Sequence, residues 1–72
     1  MSVQKVALAS PPDREKLVAM IDYDREQWAE INQESGRLVI EIYPRQDGSA
    51  WVFDFDEMKT ALESAVRRLT NI

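Results

Sequence analysis

The spacing of apolar residues changes at Phe55, and this change constrains the fold more than any other feature of the sequence. Over 37–44 the large aliphatic side chains occupy every second position, Leu38, Ile40 and Ile42, which is the spacing of a β-strand. After Phe55 apolar residues return every three or four positions and so form one stripe of an α-helix. The sequence therefore predicts strands followed by a C-terminal helix.

The predicted helix covers 55–70 and begins after Asp54. Asp54 is a suitable N-cap, with Glu57 three positions later. The pair Arg67 and Arg68 complements the negative end of the helix dipole. The apolar stripe consists of Phe55, Met58, Ala61, Leu62, Ala65, Val66, Leu69 and Ile72.

A hairpin is predicted immediately before the helix. The segment 45–49 has turn chemistry, and Gly48 tolerates the positive φ that many turns require. The aromatic residues of 51–55 then occupy every second position, as in a strand. We therefore expect 37–44 and 51–55 to pair.

The segment 13–35 fits two structures, and its pattern leaves both open. A single long helix would begin at Ser10, with Pro11 in its first turn, and end at Gly36. Its weakness is Asp24, which lies where the apolar stripe requires an apolar residue.

The alternative for the same segment is two strands, 17–23 and 26–33, joined by a tight turn at Asp24 and Arg25. Alternating apolar residues favour the strands only modestly.

A resemblance favours the two strands. The stretch 32–45 (NQESGRLVIEIYPR), followed by Asp47 and Gly48, by 51–54 (WVFD) and by the Glu, Ala, Leu and Arg helix, resembles a loose group of small bacterial proteins without an assigned function. The resemblance covers roughly 17–70 and implies an antiparallel meander followed by one helix. Its recurring residues are typical of strands, turns and helix caps, and none is a reactive group, so the resemblance implies no activity. At the level of topology alone, the pattern is also similar to the antitoxin domains of bacterial toxin pairs.

The predicted fold is thus α+β, an antiparallel β-meander of three or four strands packed on one face by the C-terminal helix. An α-β-β-α arrangement with a long first helix is the alternative. Ser10, Pro11 and Pro12 interrupt regular structure, so we expect residues 1–12 to be an N-terminal arm and 13–72 to be one small domain.

Composition argues against catalysis. The 72 residues include no His and no Cys, which removes the usual base at neutral pH, the thiol nucleophile and the common transition-metal ligands. The chain is predicted not to be an enzyme and to need no cofactor. Two acidic clusters, Asp22-x-Asp24-x-Glu26 and Asp54-x-Asp56-Glu57, leave weak binding of a divalent metal as an alternative function.

Charge and hydropathy exclude other classes of function. The net charge is −4 and the nine basic residues are scattered, so nucleic-acid binding is not expected. Apolar runs are too short for a membrane span or a signal peptide, which predicts a cytoplasmic protein.

The most informative prediction concerns the two faces of the sheet. The residues expected to face the helix are Ala19, Ile21, Ala29, Ile31, Leu38, Ile40, Ile42, Trp51 and Phe53. Apolar residues also occupy the alternate positions, so the opposite face, here called the second face, should be half apolar. One helix covers only one side of a sheet, and the second face should therefore be partly exposed unless the arm or another chain covers it.

We therefore hypothesise a non-catalytic protein-interaction module that uses the second face. Its predicted partner-binding residues are Met20, Trp28, Val39, Tyr43 and Val52, with Trp28 and Tyr43 as anchors. An acidic surround suits a basic partner, as in an immunity protein or antitoxin. A homodimeric structural or adaptor protein is the alternative.

Overall fold

The computed structural model describes residues 4–71, which form four strands and one helix. The strands follow one another in the sheet in chain order, and every neighbouring pair is antiparallel. The predicted α+β meander with a C-terminal helix is confirmed. The elements are β1 (Gln4–Ala9), β2 (Val18–Tyr23), β3 (Glu26–Asn32), β4 (Val39–Ile42) and α1 (Phe55–Thr70).

The turn between β2 and β3 decides between the two structures predicted for 13–35. Asp24 and Arg25 have φ values of 51° and 69°. Two successive positive φ values are typical of the type I′ turn, whose twist matches that of a two-residue hairpin. The prediction of two strands joined at these residues is confirmed, and the long first helix is wrong.

Residues 4–9 belong to the sheet, which corrects the prediction of an N-terminal arm. They form β1, with Val6 opposite Ile21 and Leu8 opposite Ala19. Two apolar side chains on one face are a weak signal in a sequence, yet they suffice here because β2 supplies a full ladder of backbone partners. The rest of the predicted arm before residue 4 lies outside the described residues.

The predicted hairpin between 37–44 and 51–55 does not form. In the described part of the chain, β4 is the last strand of the sheet, and 51–54 has no strand structure. Side chains hold this segment instead: the Trp51 indole Nε1–H donates to the Tyr43 carbonyl oxygen over 2.8 Å, and the Phe53 ring packs on Trp28. Burial of two aromatic rings replaces the backbone ladder that alternation predicted.

The helix has the bounds that the sequence predicts. A carboxylate oxygen of Asp54 accepts the Glu57 backbone N–H over 3.0 Å, so Asp54 is the N-cap. Ala61, Ala65 and Leu69 are buried against the sheet. The helix packs on β1 and β2 and touches β3, but makes no contact with β4. Within residues 4–71 no helix is long and apolar enough to cross a bilayer.

A β-bulge in β3 changes the direction of one large side chain. Ile21 pairs with Ala29 while the next residue, Asp22, pairs with Gln27, so Trp28 is the extra residue. A bulge breaks the strict alternation of side chains. Trp28 is consequently in the same core cluster as Ala29, on the helix side of the sheet.

Candidate functional site

The largest exposed apolar residues of the sheet lie on β4 and just before it. We define the β4 patch as Leu38, Ile40 and Ile42. Leu38, Ile40 and Ile42 are 49%, 42% and 64% exposed, although alternation was expected to bury all three under the helix. Burying an aliphatic side chain is worth about 1.5–3 kcal/mol, so three neighbouring exposed ones are a surface that association can stabilise.

The width of the helix explains why the β4 patch is open. An α-helix with its side chains is about 10–12 Å wide, whereas four strands span about 19 Å. The helix lies over β1 and β2, and its flank ends above β3. Ile31 of β3 is buried, but Ile40, directly opposite it on β4, is not. The sequence predicts the correct face for these residues and the wrong degree of cover.

The second face, by contrast, is largely closed over the central strands. Val18 is fully buried, although it lies outside the core cluster on the helix side. Glu30 and Asn32 are buried as well. The segment between β1 and β2 supplies cover, because its Arg14 reaches Glu30 and Glu41 on this face. The expectation of an exposed second face is therefore wrong for β2 and β3.

Arg14 is the centre of a polar network on the second face. Its Nη2 lies 2.5 Å from Glu41 Oε2 and 3.0 Å from Glu30 Oε2. The Asn32 amide donates to the same two oxygens, over 3.0 Å to Glu41 and 3.1 Å to Glu30. A buried carboxylate is tolerated only when it is paired and hydrogen-bonded, and this network provides both.

The network also shifts two pKa values. Desolvation lowers the pKa of Arg14, but attraction to Glu30 and Glu41 outweighs it, and the net shift is upward. The pKa of the Tyr43 phenol is raised, first by partial burial and then by the same two carboxylates. Arg14 therefore stays a cation and Tyr43 a neutral phenol at neutral pH, and the ion pairs of Arg14 hold the loop against the sheet.

A second set of contacts fixes the loop at the far end of the sheet. Glu34 Oε1 accepts the backbone N–H groups of Glu15 and Lys16, over 2.6 and 3.1 Å. The Lys16 ammonium donates to the Gln33 carbonyl over 3.3 Å. The loop is thus tied to the strands at two places, and it covers the second face as a fixed part of the domain.

The five predicted partner-binding residues do not form one surface. Trp28 is the clearest correction: only 3% of it is exposed, it packs on Phe53, and its indole Nε1–H donates to Gln4 Oε1 over 2.7 Å. The bulge in β3 is the reason. Met20 and Tyr43 are half-buried, and Val52 is 79% exposed but lies outside the strands. Val39 is 37% exposed, but it lies on the second face, away from the β4 patch.

An aromatic cluster closes the end of the sheet nearest the Asp24 turn. Tyr23, Trp28 and Trp51 surround Phe53, with ring centroids 4.8, 4.7 and 5.5 Å from it. The Arg45 guanidinium lies 4.9 Å from the Trp51 ring centroid, a cation–π distance. Alternation alone does not reveal this cluster, because its members come from three segments that pattern analysis assigns to different faces.

The two acidic clusters are not assembled as metal sites. Across residues 4–71, no three His, Cys, Asp or Glu side chains are placed to hold a metal ion together. Asp54 is engaged as the helix cap, and Asp22 lies opposite Lys5 across the β1–β2 ladder.

An apolar depression lies on one flank of the helix. It is lined by Leu62, Glu63, Val66 and Arg67, and its volume is about 360 Å³. Leu62 and Val66 are only partly buried. The depression holds no constellation of groups that suits a reaction, and it contributes apolar area beside the sheet.

Comparison with known proteins gives no match: no protein-family model, curated protein or solved structure matches this chain. Sequence reasoning missed Leu38, Ile40 and Ile42 as exposed residues. The signal that could have identified them is geometric, since a single helix covers about two strands and three or four were predicted.

Proposed function

We propose that this chain is a non-catalytic protein-interaction module that binds another protein through the β4 patch and the free edge of β4. The single observation that carries the proposal is an edge strand with three large aliphatic side chains that are 42–64% exposed on one face. Backbone groups at such an edge supply hydrogen bonds to an incoming strand, and the aliphatic residues supply apolar contact.

The other surfaces support this choice. Arg14 and its network occupy the second face, where Arg14 is paired with both Glu30 and Glu41. The non-catalytic part of the proposal rests on the lack of His and Cys in the sequence.

A partner of basic charge is the finer proposal for a heterologous complex. The chain has a net charge of −4, and opposite charge accelerates association. An immunity protein or antitoxin that masks a basic toxin would have this character. A rate of association that falls steeply with added salt would support this class, and a rate independent of salt would count against it.

The proposal is tested by comparing two matched substitutions. Ile42→Lys places a charge in the β4 patch, whereas Val52→Lys places the same charge at the more exposed Val52, away from the strand. Tagged variants are expressed in the source cells, and the proteins that co-purify with each are quantified against the wild-type chain. The proposal expects Ile42→Lys to lose the bound protein and Val52→Lys to keep it. Equal retention by both variants would contradict it.

A further inference from the structure

The backbone of β4 points its free hydrogen-bonding groups in a definite direction. The Tyr43 N–H donates to the Trp28 carbonyl oxygen over 2.8 Å, so position 43 faces β3. The direction of backbone N–H and C=O groups alternates along a strand. Ile40 and Ile42 therefore direct theirs to the open edge, where no described strand pairs with them. Leu38 immediately precedes β4 and is the next position of the same alternation.

The side chains of the same three residues share one face of the sheet. The ladder with β3 sets Ile42 opposite Ala29 and Ile40 opposite Ile31, on the helix side. The residues with free backbone groups are thus also the residues with exposed aliphatic side chains. An incoming strand at this edge would gain both kinds of contact at once.

From this geometry we propose that two copies of the chain pair through β4, antiparallel, with Ile40 opposite the second copy's Ile40. This inference rests on the proposed function, because it names the occupant of the β4 edge. In this register Leu38 lies opposite the second copy's Ile42, and the reverse pair follows from the two-fold axis. Each of the three pairs exchanges both of its backbone hydrogen bonds.

Neighbouring residues single out this register. A shift by one pair in one direction brings Gly36 opposite Ile42, and Gly offers no side chain to pack. A shift in the other direction brings Pro44, which has no N–H, opposite Leu38. The centred register pairs the three aliphatic residues with one another and places neither Gly36 nor Pro44 opposite any of them.

The cross-strand pairs and the topology of the sheet agree with a second copy as the occupant. On the second face, the centred register sets Val39 opposite the second copy's Glu41, so like charges do not face each other. At the opposite edge of the sheet, the Val6 carbonyl already accepts from the Arg68 guanidinium over 2.6 Å, and an incoming strand there would have to displace that bond. With one open edge per chain, pairing closes at a dimer and does not continue into a fibre.

Cysteine substitution tests the register directly, since the native chain has no Cys. In Ile40→Cys the two thiols would lie on the two-fold axis, with Cα atoms about 5.5 Å apart, which suits a disulfide. In the control, Ile42→Cys, each thiol is four residues from its counterpart, about 13 Å along the strand. The control position is the more exposed one, so random collisions favour it.

The experiment oxidises each purified variant at micromolar concentration and follows the covalent dimer on a non-reducing gel. The proposal expects Ile40→Cys to cross-link roughly tenfold faster than Ile42→Cys or more, because pairing raises the effective thiol concentration. Equal rates, or faster cross-linking of Ile42→Cys, would overturn it. Far-UV circular dichroism of both variants before oxidation ensures that two folded chains are compared.

Sedimentation supplies a second, independent readout. Wild-type chain should sediment at twice the monomer mass, and Ile40→Pro as a monomer with unchanged circular dichroism, because the lost N–H serves no described partner within its own chain. A monomeric wild type at high micromolar concentration overturns the homodimer. The proposed protein-binding function would then still stand if Ile42→Lys loses a co-purifying protein. It would fail together with the homodimer if that variant loses none.

Discussion

The two edge strands of the sheet, β1 and β4, differ in how far the rest of the chain contacts them. At the β1 edge the helix packs on the strand, and Arg68 donates to the Val6 carbonyl. At the β4 edge neither the helix nor any other described strand covers the backbone, and the β4 patch is exposed. The protein thus blocks one edge with a charged side chain and leaves the other apolar and open.

The difference shows which part of a four-stranded sheet stays uncovered when a single helix packs on it. Open edge strands invite pairing with other chains, and proteins usually block them with charge, proline or a covering element. Pro44 ends β4 but leaves its central residues unprotected. An edge that stays open while the other is blocked is the natural place to expect a partner.

The largest effect should come from Trp28, which sequence reasoning assigned to the binding surface. Trp28→Ala removes a buried ring from the core and should lower the free energy of unfolding by about 3–5 kcal/mol. Val39→Ala, on the exposed edge strand β4, should change it by less than about 1 kcal/mol. Urea unfolding measures both. Similar losses for the two variants would mean that β4 is as well packed as β3.

A matched pair of leucines compares the two edges themselves. Leu8 of β1 packs on the core, whereas Leu38 is 49% exposed. Leu8→Ala should cost about 2–3 kcal/mol, near the lower limit for buried leucines because Leu8 is partly exposed. Leu38→Ala should cost about 0.5 kcal/mol or less in the monomer. Chemical unfolding at low protein concentration tests the pair, and an equal cost would remove the contrast between the edges.

The block on the β1 edge should make a smaller contribution. Arg68→Ala removes the donor to Val6 and should cost about 0.5–1 kcal/mol, the range of a charged hydrogen bond at a surface. Arg67→Ala is the control, because it lies in the same last turn of the helix and shares the dipole effect. Thermal unfolding should separate the variants by a few degrees, and identical midpoints would show that the edge contact contributes nothing.

The smallest effect should appear at alkaline pH and concerns Tyr43, the residue that follows β4. Because the Tyr43 pKa is raised in the folded chain, its contribution to stability is complete below the ordinary phenol pKa of about 10. The contribution is lost as pH rises through the higher folded value. Wild-type stability should fall more steeply in this range than that of Tyr43→Phe. Parallel pH profiles for the two chains would contradict the shift.

Much of the fold can be predicted from local chemistry. The Asp54 cap, the helix stripe and the tight turn at Asp24 each depend on neighbours in the sequence, and each prediction is confirmed. The errors involve contacts between distant segments. The bulge that turns Trp28 into the core and the aromatic packing that draws Phe53 away from β4 arise from competition among buried surfaces.

Alternation misplaces the exposed apolar surface for the same reason. Alternation assigns Ile40 and Ile42 to the helix side correctly, but it carries no information about how far the helix extends across the sheet. Likewise, the cover of the second face depends on Arg14, which pairs with Glu30 and Glu41. In the sequence, Arg14 looks like an ordinary solvent-exposed charge, because these two partners are distant along the chain.

Amide hydrogen exchange within β4 tests the central claim most directly, since neighbouring residues are their own controls. The Glu41 N–H faces β3 and should be protected at every protein concentration, whereas the amides of Ile40 and Ile42 face the open edge. The account predicts that these two amides exchange rapidly in dilute solution and become protected as concentration rises. Rapid exchange of Ile40 and Ile42 at all concentrations, with Glu41 protected throughout, would contradict pairing through this edge.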